Sequence, residues 1–458
     1  MIDLLIRNGA VVTPDATLPA DIAVQGDKIL ALGAWGAFGE GRQEIDARGK
    51  LVLPGLVDPH VHMAHPYKGE ISDDDCYSTT VSAAYGGTTT LIDFAIQWDK
   101  SLNLIQVLEW RRGQADDEVV VDYGLHVVPT QSSDEMLDDV CDLVERGIAS
   151  FKVYMVYRKQ GRMVDDAVLH AMLSALRDCG GTLMVHAENN AMAEYQQDRF
   201  LGSGRNRPED FPNVKPNLVE AEAVNRALYL NRQCRGRLYI VHLSTREGLD
   251  LVRAAKANGD DVVAESCPHY LALTKDVYQR DNGGRYICSP PLRGQDDVDA
   301  LWEGISDGTI STIGSDHCGF GKAQKDQGQG DFSQTPHGLP GIETRLPVIY
   351  TEGVLKRRIT INRMVELLST NPAKVFGLYP QKGALLPGSD ADLVVVDPDE
   401  ERMIRGEEMH GNVKWTPFEG MKARGFAKVT VSQGEIIVQD GQFSGNRGRG
   451  RFLERRIQ

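Results

Sequence analysis

The sequence predicts an α/β protein whose central part is a (β/α)8 TIM barrel. Strand-like apolar runs alternate with amphipathic helical stretches about eight times through the middle of the 458-residue chain. The runs, such as "TTTLIDFA" and "RLYIVHLS", are almost continuously apolar, which is typical of parallel strands covered by helices. Eight such units over roughly 320 residues favour a closed barrel over an open sheet.

Two stretches illustrate the helical pattern. Residues 132–147, "SSDEMLDDVCDLVERG", have apolar residues at helical spacing, a serine at the expected start and a glycine just past the end. Residues 164–180, "VDDAVLHAMLSALRDCG", repeat the pattern. The expected apolar face of this second helix consists of Leu169, Met172, Leu173 and Leu176.

Both ends of the chain read as short antiparallel strands. "DLLIRNGAVV" and "ADIAVQGDKILAL" near the start resemble "KVTVSQGEIIVQDGQ" near the end. Their partial alternation, broken by Asn-Gly, Gln-Gly and Asp-Gly, predicts hairpins. We therefore expect residues 1–53 and 378–458 to combine into one small β domain beside a barrel of residues 54–377.

Composition excludes several classes of protein. The net charge of -15 argues against general nucleic-acid binding, which needs a basic surface. No run of 18 or more apolar residues occurs, so we expect no membrane-spanning helix. The first residues lack the pattern of a signal peptide, and the seven cysteines form no C-x-x-C pair. We therefore expect a cytoplasmic protein.

Metal-type ligands follow several of the predicted barrel strands. His60 and His62 are two residues apart, so they face the same side of an extended strand. Three further ligands end the fifth, sixth and eighth runs: His186, His242 and Asp316. The carboxyl ends of barrel strands converge on one mouth. Imidazole and carboxylate groups gathered there predict a metal site.

Lys152 ends the fourth run, in "SFKVYMVY". Burial and neighbouring metal ions would depress its pKa, and a neutral amine reacts with carbon dioxide to give an anionic carbamate that can bridge two metals. Two divalent ions, a carbamate, Asp316 and a hydroxide then sum to about +1, a Lewis-acidic centre. The alternative is that Lys152 pairs with a carboxylate such as Asp93 or Glu188.

A set of motifs covering residues 55 to about 421 resembles the cyclic amidohydrolases of the amidohydrolase superfamily, and specifically the hydantoinase/dihydropyrimidinase family. These motifs include "GLVDPHVH", "FKVYMVY", "VHAEN", "VHLS", "CPHYL", "SPPLR" and "IGSDH". The resemblance implies that the terminal strands form the small β-sandwich that accompanies this barrel. The ending "GQFSGNRGRGRFLERR" resembles tails that join tetramer contacts, so a homotetramer, or a homodimer, is expected.

The resemblance also implies a binuclear centre, with zinc or alternatively manganese. His60, His62 and Asp316 would hold one ion, and His186 and His242 the other. N6-carboxylated Lys152 and a hydroxide would bridge them, and the hydroxide would attack the ring amide carbon. Asp316 would act as general base and then general acid.

Three residues are expected to contact the substrate. Tyr157, five residues after the lysine, matches the tyrosine that stabilises the oxyanion. The Ser289 backbone would bind the ring amide or imide. His337 replaces the family's asparagine before "GLPG"; the change either alters substrate preference or is a tolerated loop substitution. Tyr67 and Tyr154 would form aromatic walls or simply pack.

The implied activity is the opening of hydantoins or dihydropyrimidines, as cyclic ureides or imides, to N-carbamoyl amino acids. Allantoinase, L-hydantoinase and dihydroorotase activities remain alternatives, although no cationic clamp for a dihydroorotate carboxylate is evident in the sequence. A metal-free, non-catalytic adaptor protein is an alternative of another class. It is disfavoured because all six expected metal ligands are present.

Overall fold

The structure is a computed structural model that describes residues 1–131 and 134–457. In chain order, the strands are β1 (Leu4–Val12), β2 (Thr17–Gln25), β3 (Lys28–Gly33), β4 (Gln43–Asp46), β5 (Leu51–Pro54), β6 (Leu56–His62), β7 (Pro66–Tyr67), β8 (Glu70–Ile71), β9 (Thr88–Ile96), β10 (Asp122–Val128), β11 (Ser150–Tyr154), β12 (Thr182–His186), β13 (Arg237–Ile240), β14 (Val262–Ser266), β15 (Thr312–Ile313), β16 (His317–Cys318), β17 (Leu393–Val396), β18 (Glu401–Met403), β19 (Lys422–Arg424), β20 (Ala427–Ser432), β21 (Glu435–Gln439) and β22 (Gln442–Phe443).

The helices follow the same order. They are α1 (Cys76–Tyr85), α2 (Leu104–Ala115), α3 (Asp134–Glu145), α4 (Asp166–Cys179), α5 (Asn190–Gly202), α6 (Phe211–Val214), α7 (Asn217–Cys234), α8 (Arg246–Ala257), α9 (Pro268–Ala272), α10 (Gln295–Ser306), α11 (Lys322–Asp326), α12 (Arg345–Ile349), α13 (Ile361–Val365) and α14 (Asn371–Val375). Short 3₁₀ turns lie at Pro208–Asp210, Lys275–Gln279, Gly283–Tyr286 and Gly406–Glu408, and π-helical turns at Tyr350–Leu355 and Glu366–Thr370. Within the described ranges, no helix combines the length and apolarity that a membrane crossing requires.

The central sheet closes into a barrel of parallel strands, which confirms the predicted fold. Its strands pair in the order β6, β9, β10, β11, β12, β13, β14 and β15, all parallel. The eighth strand is split: β15 pairs with β14, while β16 pairs with β6 and closes the ring. Asp316 lies in the interruption between β15 and β16.

Helices α3 and α4 occupy the two stretches predicted from periodicity. In α4 the Asp165 carboxylate accepts a hydrogen bond from the Val168 N–H group, and Gly180 ends the helix at a left-handed φ of 83°. The four residues of the predicted apolar face of α4 are buried. The serine expected at the start of the first stretch lies outside the described residues.

The chain ends form one nine-stranded sheet domain that packs against the barrel. Its strands run in the order β22, β21, β20, β17, β5, β1, β2 and β3, with β4 also paired to β1. In β17, Leu393 and Val395 face the core of the sheet domain, whereas Val394 and Val396 join the barrel core. Alternation along one strand therefore connects the two cores.

Two buried cations also tie the terminal segments to the barrel. Lys382, at the junction of the domains, forms ion pairs with Asp122 of β10, with Asp390 at 2.8 Å and with Asp392 at 2.7 Å. This ammonium group occupies the centre of the acidic cluster, so the three carboxylates need no metal ion. In the C-terminal tail, Arg455 is fully buried and donates a hydrogen bond to the Ser150 hydroxyl at 2.8 Å.

Candidate metal centre

His60, His62 and Asp316 meet at the mouth of the barrel. The two histidines lie on β6 with their side chains on the same face. Asp316 Oδ1 is 3.1 Å from His60 Nε2 and 3.4 Å from His62 Nε2. One ligand atom from each of the three residues falls within 4.8 Å of the others. The spacing is suited to a single ion held by nitrogen and oxygen ligands.

His186 and His242 form a second group beside the first. His186 is the last residue of β12, and His242 follows β13 by two residues. His242 Nε2 lies 2.9 Å from His186 Nδ1. The ring centroids of His60 and His242 are 5.5 Å apart. The barrel thus gathers four imidazoles in two adjacent groups.

Lys152 lies beside His60 of the first group of ligands. It sits two residues before the end of β11, rather than at the end as the sequence suggested, and only 1% of its surface is exposed. Its Nζ is 2.9 Å from His60 Nε2 and 4.1 Å from the centroid of the Phe94 ring. Burial lowers the pKa of Lys152 to about 8, although Asp316 and Glu265 oppose the shift.

The alternative partners of Lys152 are engaged elsewhere, so the pairing with Asp93 or Glu188 is wrong. The Asp93 carboxylate accepts a hydrogen bond from Arg111 Nε at 2.6 Å. Glu188 accepts one from Lys215 Nζ at 2.7 Å. These carboxylates are neutralised by other cations, and Lys152 instead contacts His60 at 2.9 Å.

The protonation states of these side chains favour metal binding at this cluster. Burial lowers the pKa of His60, His62 and His242 well below 6.5, so their nitrogen lone pairs are free at neutral pH. For Asp316, burial raises the pKa, but electrostatic interactions with the surrounding histidines and with Lys152 outweigh it, and the net shift is downward. The cluster therefore offers neutral imidazoles and an ionised carboxylate.

The residues expected to contact substrate face the same cavity, whose volume is about 410 Å³. Ser289 Oγ lies 2.7 Å from His337 Nδ1 and accepts a hydrogen bond from Lys215 Nζ at 2.9 Å. His337 thus uses its side chain to hold Ser289, which the sequence did not indicate. Burial lowers the pKa of His337 to about 3, so its ring is neutral. The predicted site residues that line this cavity are His62, Lys152, Tyr157, His186, His242, Ser289, Asp316 and His337, joined by Tyr67 and Tyr154.

Most of the chain is similar to known proteins of one family, because the profile of the Amidohydrolase family matches residues 51–437. The chain belongs to the amidohydrolase family. It is 39% identical over 457 residues to a D-hydantoinase of Ralstonia pickettii, a match that covers 99% of both chains. It is 41% identical over 456 residues to a D-phenylhydantoinase of Escherichia coli, covering 99% of this chain and 98% of the other.

Solved structures agree with the sequence relatives of this amidohydrolase. A D-hydantoinase from a Bacillus species superposes with a TM-score of 0.97 at 36% identity over 100% of both chains. A dihydropyrimidinase from Brevibacillus agri gives a TM-score of 0.96 at 37% identity over 100% of this chain and 99% of the other. The resemblance to the hydantoinase/dihydropyrimidinase family is thereby confirmed.

Two buried glutamates, Glu188 and Glu265, orient the histidines of this amidohydrolase, a role that the sequence motifs did not indicate for either residue. Glu265 Oε1 is 2.6 Å from His60 Nδ1 and accepts a hydrogen bond from the His242 backbone N–H at 3.1 Å. Glu188 Oε2 is 2.8 Å from His186 Nε2. Carboxylates behind ligating histidines fix the ring orientation. Glu265 lies in β14, so the strand-end rule that found the ligands also identifies it.

Three site residues have left-handed backbone conformations, which non-glycine residues rarely adopt. Their φ values are 74° for Tyr157, 37° for His242 and 47° for Asp316. Strained backbone of this kind persists only where the surrounding structure imposes it, and it clusters at functional sites. The amidohydrolase thus holds a candidate metal ligand, the proposed base and the proposed oxyanion donor in conformations that local sequence does not favour.

Lys325, in α11, connects the two loops that carry Ser289 and His337. It is 1% exposed, and burial lowers its pKa to about 7. Its Nζ donates to three backbone carbonyl oxygens, those of Ile287 at 2.7 Å, Pro336 at 2.6 Å and Gly338 at 2.9 Å. Because these carbonyls lie within two residues of Ser289 and His337, Lys325 joins the two loops whose residues are expected to contact the substrate ring.

Other histidines near the barrel have structural surroundings. His126 is fully buried in β10, with Nδ1 2.6 Å from Ser150 Oγ and Nε2 2.9 Å from the Pro59 carbonyl oxygen. His170 lies on the exposed side of α4. Neither lines the cavity that holds the predicted ligands.

Proposed function

We propose that this amidohydrolase, a cyclic amidase, opens hydantoins or dihydropyrimidines to N-carbamoyl amino acids. The observation that carries the proposal is the convergence of four histidines, Asp316 and the low-pKa Lys152 at one barrel mouth. The cavity also contains the Tyr157 hydroxyl group as a hydrogen-bond donor, and Ser289 and His337 to position the ring. Such a site combines binding, proton transfer and oxyanion stabilisation around one amide group.

The donor set fits two divalent ions, zinc being the first candidate and manganese the second. Imidazole nitrogens with a carboxylate are ligands that zinc prefers. When bound, the ions supply Lewis acidity and make water more acidic. The residues that would hold them are His60, His62 and Asp316 for one ion, His186 and His242 for the other, and N6-carboxylated Lys152 between the two.

Each remaining residue has a separate task. Asp316, ionised because nearby positive charges lower its pKa, accepts the proton of the attacking water and returns it to the ring nitrogen. Burial raises the pKa of Tyr157, so its hydroxyl stays protonated and donates to the developing oxyanion. Ser289 and His337 bind the opposite side of the ring.

The experiment that tests this function is an assay of the purified protein after loading with Zn²⁺ or Mn²⁺ in bicarbonate. Hydantoin, dihydrouracil, 5-substituted hydantoins and allantoin form the panel, and two metal ions per chain are expected. Lys152→Ala should lose nearly all activity and much of its metal, and short carboxylic acids should partly restore turnover. Lys159→Ala, which changes an exposed lysine on the same segment, is the matched control.

Two outcomes separate the enzyme from a metal-free adaptor. Turnover of any cyclic ureide with two bound ions supports the enzyme. A protein that binds no metal and hydrolyses no ring after metal and bicarbonate are supplied would overturn it. Preferred turnover of allantoin would assign the alternative substrate.

The remaining proposals concern organisation. We propose domain boundaries between residues 53 and 54 and between residues 377 and 378. We also propose that the protein is cytoplasmic and assembles as a homotetramer. The free state of all seven cysteines is compatible with a reducing compartment. Residues 441–448 of the tail are mostly exposed on one chain, which leaves them available to a neighbouring subunit. Light scattering is expected to give about four times the chain mass; a monomer would refute the assembly.

A further inference from the structure

Arg162 is a cation in the substrate cavity that the proposed reaction does not use. It ends the tight turn after β11, where its backbone N–H donates to the Tyr157 carbonyl oxygen at 3.1 Å. Its side chain lines the same cavity as the metal-ligating residues. The position of Arg162 is thus coupled to that of the proposed oxyanion donor.

The Arg162 guanidinium is held by aromatic rings and not by an anion. It lies over the rings of Tyr157 at 4.6 Å, Trp98 at 5.4 Å and Tyr154 at 5.5 Å. Over residues 1–131 and 134–457, no carboxylate lies within ion-pair distance of it, and its buried Nε has no hydrogen-bond partner. By contrast, the buried Arg111 pairs with Asp93 at 2.6 Å.

The charges that line the cavity are also unbalanced. Apart from Lys152, which the proposed metal centre uses, its cationic side chains are Lys68 and Arg162, whereas its carboxylate is that of Asp316. Asp316 faces His60 and His62, so it does not neutralise Arg162. An arginine that is partly withdrawn from water and lacks an anion is costly unless a ligand supplies one.

We propose that Arg162 binds an anionic group, specifically a carboxylate, on the exocyclic substituent of the ring substrate. The inference rests on the proposed function and names its substrate class: cyclic ureides with an acidic side chain. A guanidinium presents its N–H donors in a planar fork that matches the two oxygens of a carboxylate. An apolar substituent would leave those donors unsatisfied, whereas a carboxylate satisfies them and balances the charge.

The test compares 5-(2-carboxyethyl)hydantoin with its primary amide, which has the same shape without the charge. The readout is the ratio of kcat/KM for the acid to that for the amide. We expect the ratio to exceed about 10 in the unmodified enzyme and to fall about 10–100-fold in Arg162→Gln, the range for a lost charge-assisted hydrogen bond. Arg162→Lys keeps the charge without the fork, so an intermediate ratio is expected.

Arg158→Gln is the matched control. It removes the same charge from the same segment, but the Arg158 side chain is 63% exposed and pairs with Glu194. Its acid-to-amide ratio should stay within about twofold of the unmodified value. An equal fall in both variants would mean a general field effect and would overturn the specific contact.

The outcomes also separate this inference from the proposed function. Turnover of hydantoin with an acid-to-amide ratio near one overturns the inference alone. Absence of turnover on every cyclic ureide overturns both. If Arg162→Gln fails to fold, the salt dependence of the unmodified enzyme decides: added NaCl should raise KM for the acid and leave KM for the amide unchanged, and equal salt effects overturn the inference.

Discussion

The pKa of Lys152 determines how readily its amine takes up carbon dioxide, because only the neutral amine reacts. Burial lowers that pKa to about 8 from an ordinary 10.5. At pH 7 the neutral fraction is therefore about 9%, against about 0.03% for an unperturbed lysine. Burial in the barrel should therefore raise the fraction of lysine present as the reactive neutral amine roughly 300-fold at pH 7.

The rate at which the metal-free protein regains activity measures how strongly the neutral fraction of Lys152 controls carbamate formation. Zn²⁺ and a constant concentration of dissolved carbon dioxide are supplied, and the rate of recovery is followed from pH 6 to 9. The neutral fraction rises with pH, so the rate should increase about ninefold from pH 6 to 7 and about tenfold more by pH 9, and then level off. His60, His62 and His242 stay neutral over this range because their pKa values lie well below 6.5.

The titration of Glu265 has to be distinguished from that of Lys152, because burial raises the pKa of Glu265 to about 8 as well. Glu265→Gln removes that titration, and the pH dependence of recovery should survive in this variant. Lys152→Gln should not recover at any pH. A rate that is independent of pH, or one that still rises tenfold per unit at pH 9, would refute the low pKa of Lys152.

Further predictions concern single side chains. Tyr157→Phe should lower kcat about 10²–10³-fold, the usual loss for one oxyanion donor; steady-state kinetics measure it, and an unchanged kcat would place the donor elsewhere. Glu265→Gln should weaken metal affinity about 10–100-fold by orienting His60 less firmly; chelator competition measures this, and unaltered affinity would contradict it. Lys325→Met leaves the carbonyl oxygens of Pro336 and Gly338 without a donor, at about 1–3 kcal/mol each, so urea unfolding should detect a loss of about 2–6 kcal/mol. The exposed control Lys322→Met should change stability by under about 0.5 kcal/mol, and equal losses would refute the role of Lys325.

The barrel and most of its ligands follow from patterns that are local in the chain. Strands alternate their side chains with a period of two, so His60 and His62 had to share a face. Parallel strands in a barrel place their carboxyl ends together, which brings His186 and His242 to the same mouth. These geometric rules act on neighbouring residues and on strand order, and both can be read from a linear sequence.

The partners of these ligands depend on contacts between distant segments. Glu265 lies behind His60 because only the split eighth strand separates β14 from β6 in the closed barrel, and His337 reaches Ser289 only through the folding of two separate loops. Arg162 stands unpaired because no carboxylate in the described part of the chain packs against it. Pairing of charges, burial and the resulting pKa values arise from three-dimensional packing. The periodicity of the sequence therefore predicted the candidate ligands of this amidohydrolase, while the folded chain decided how they are oriented and charged.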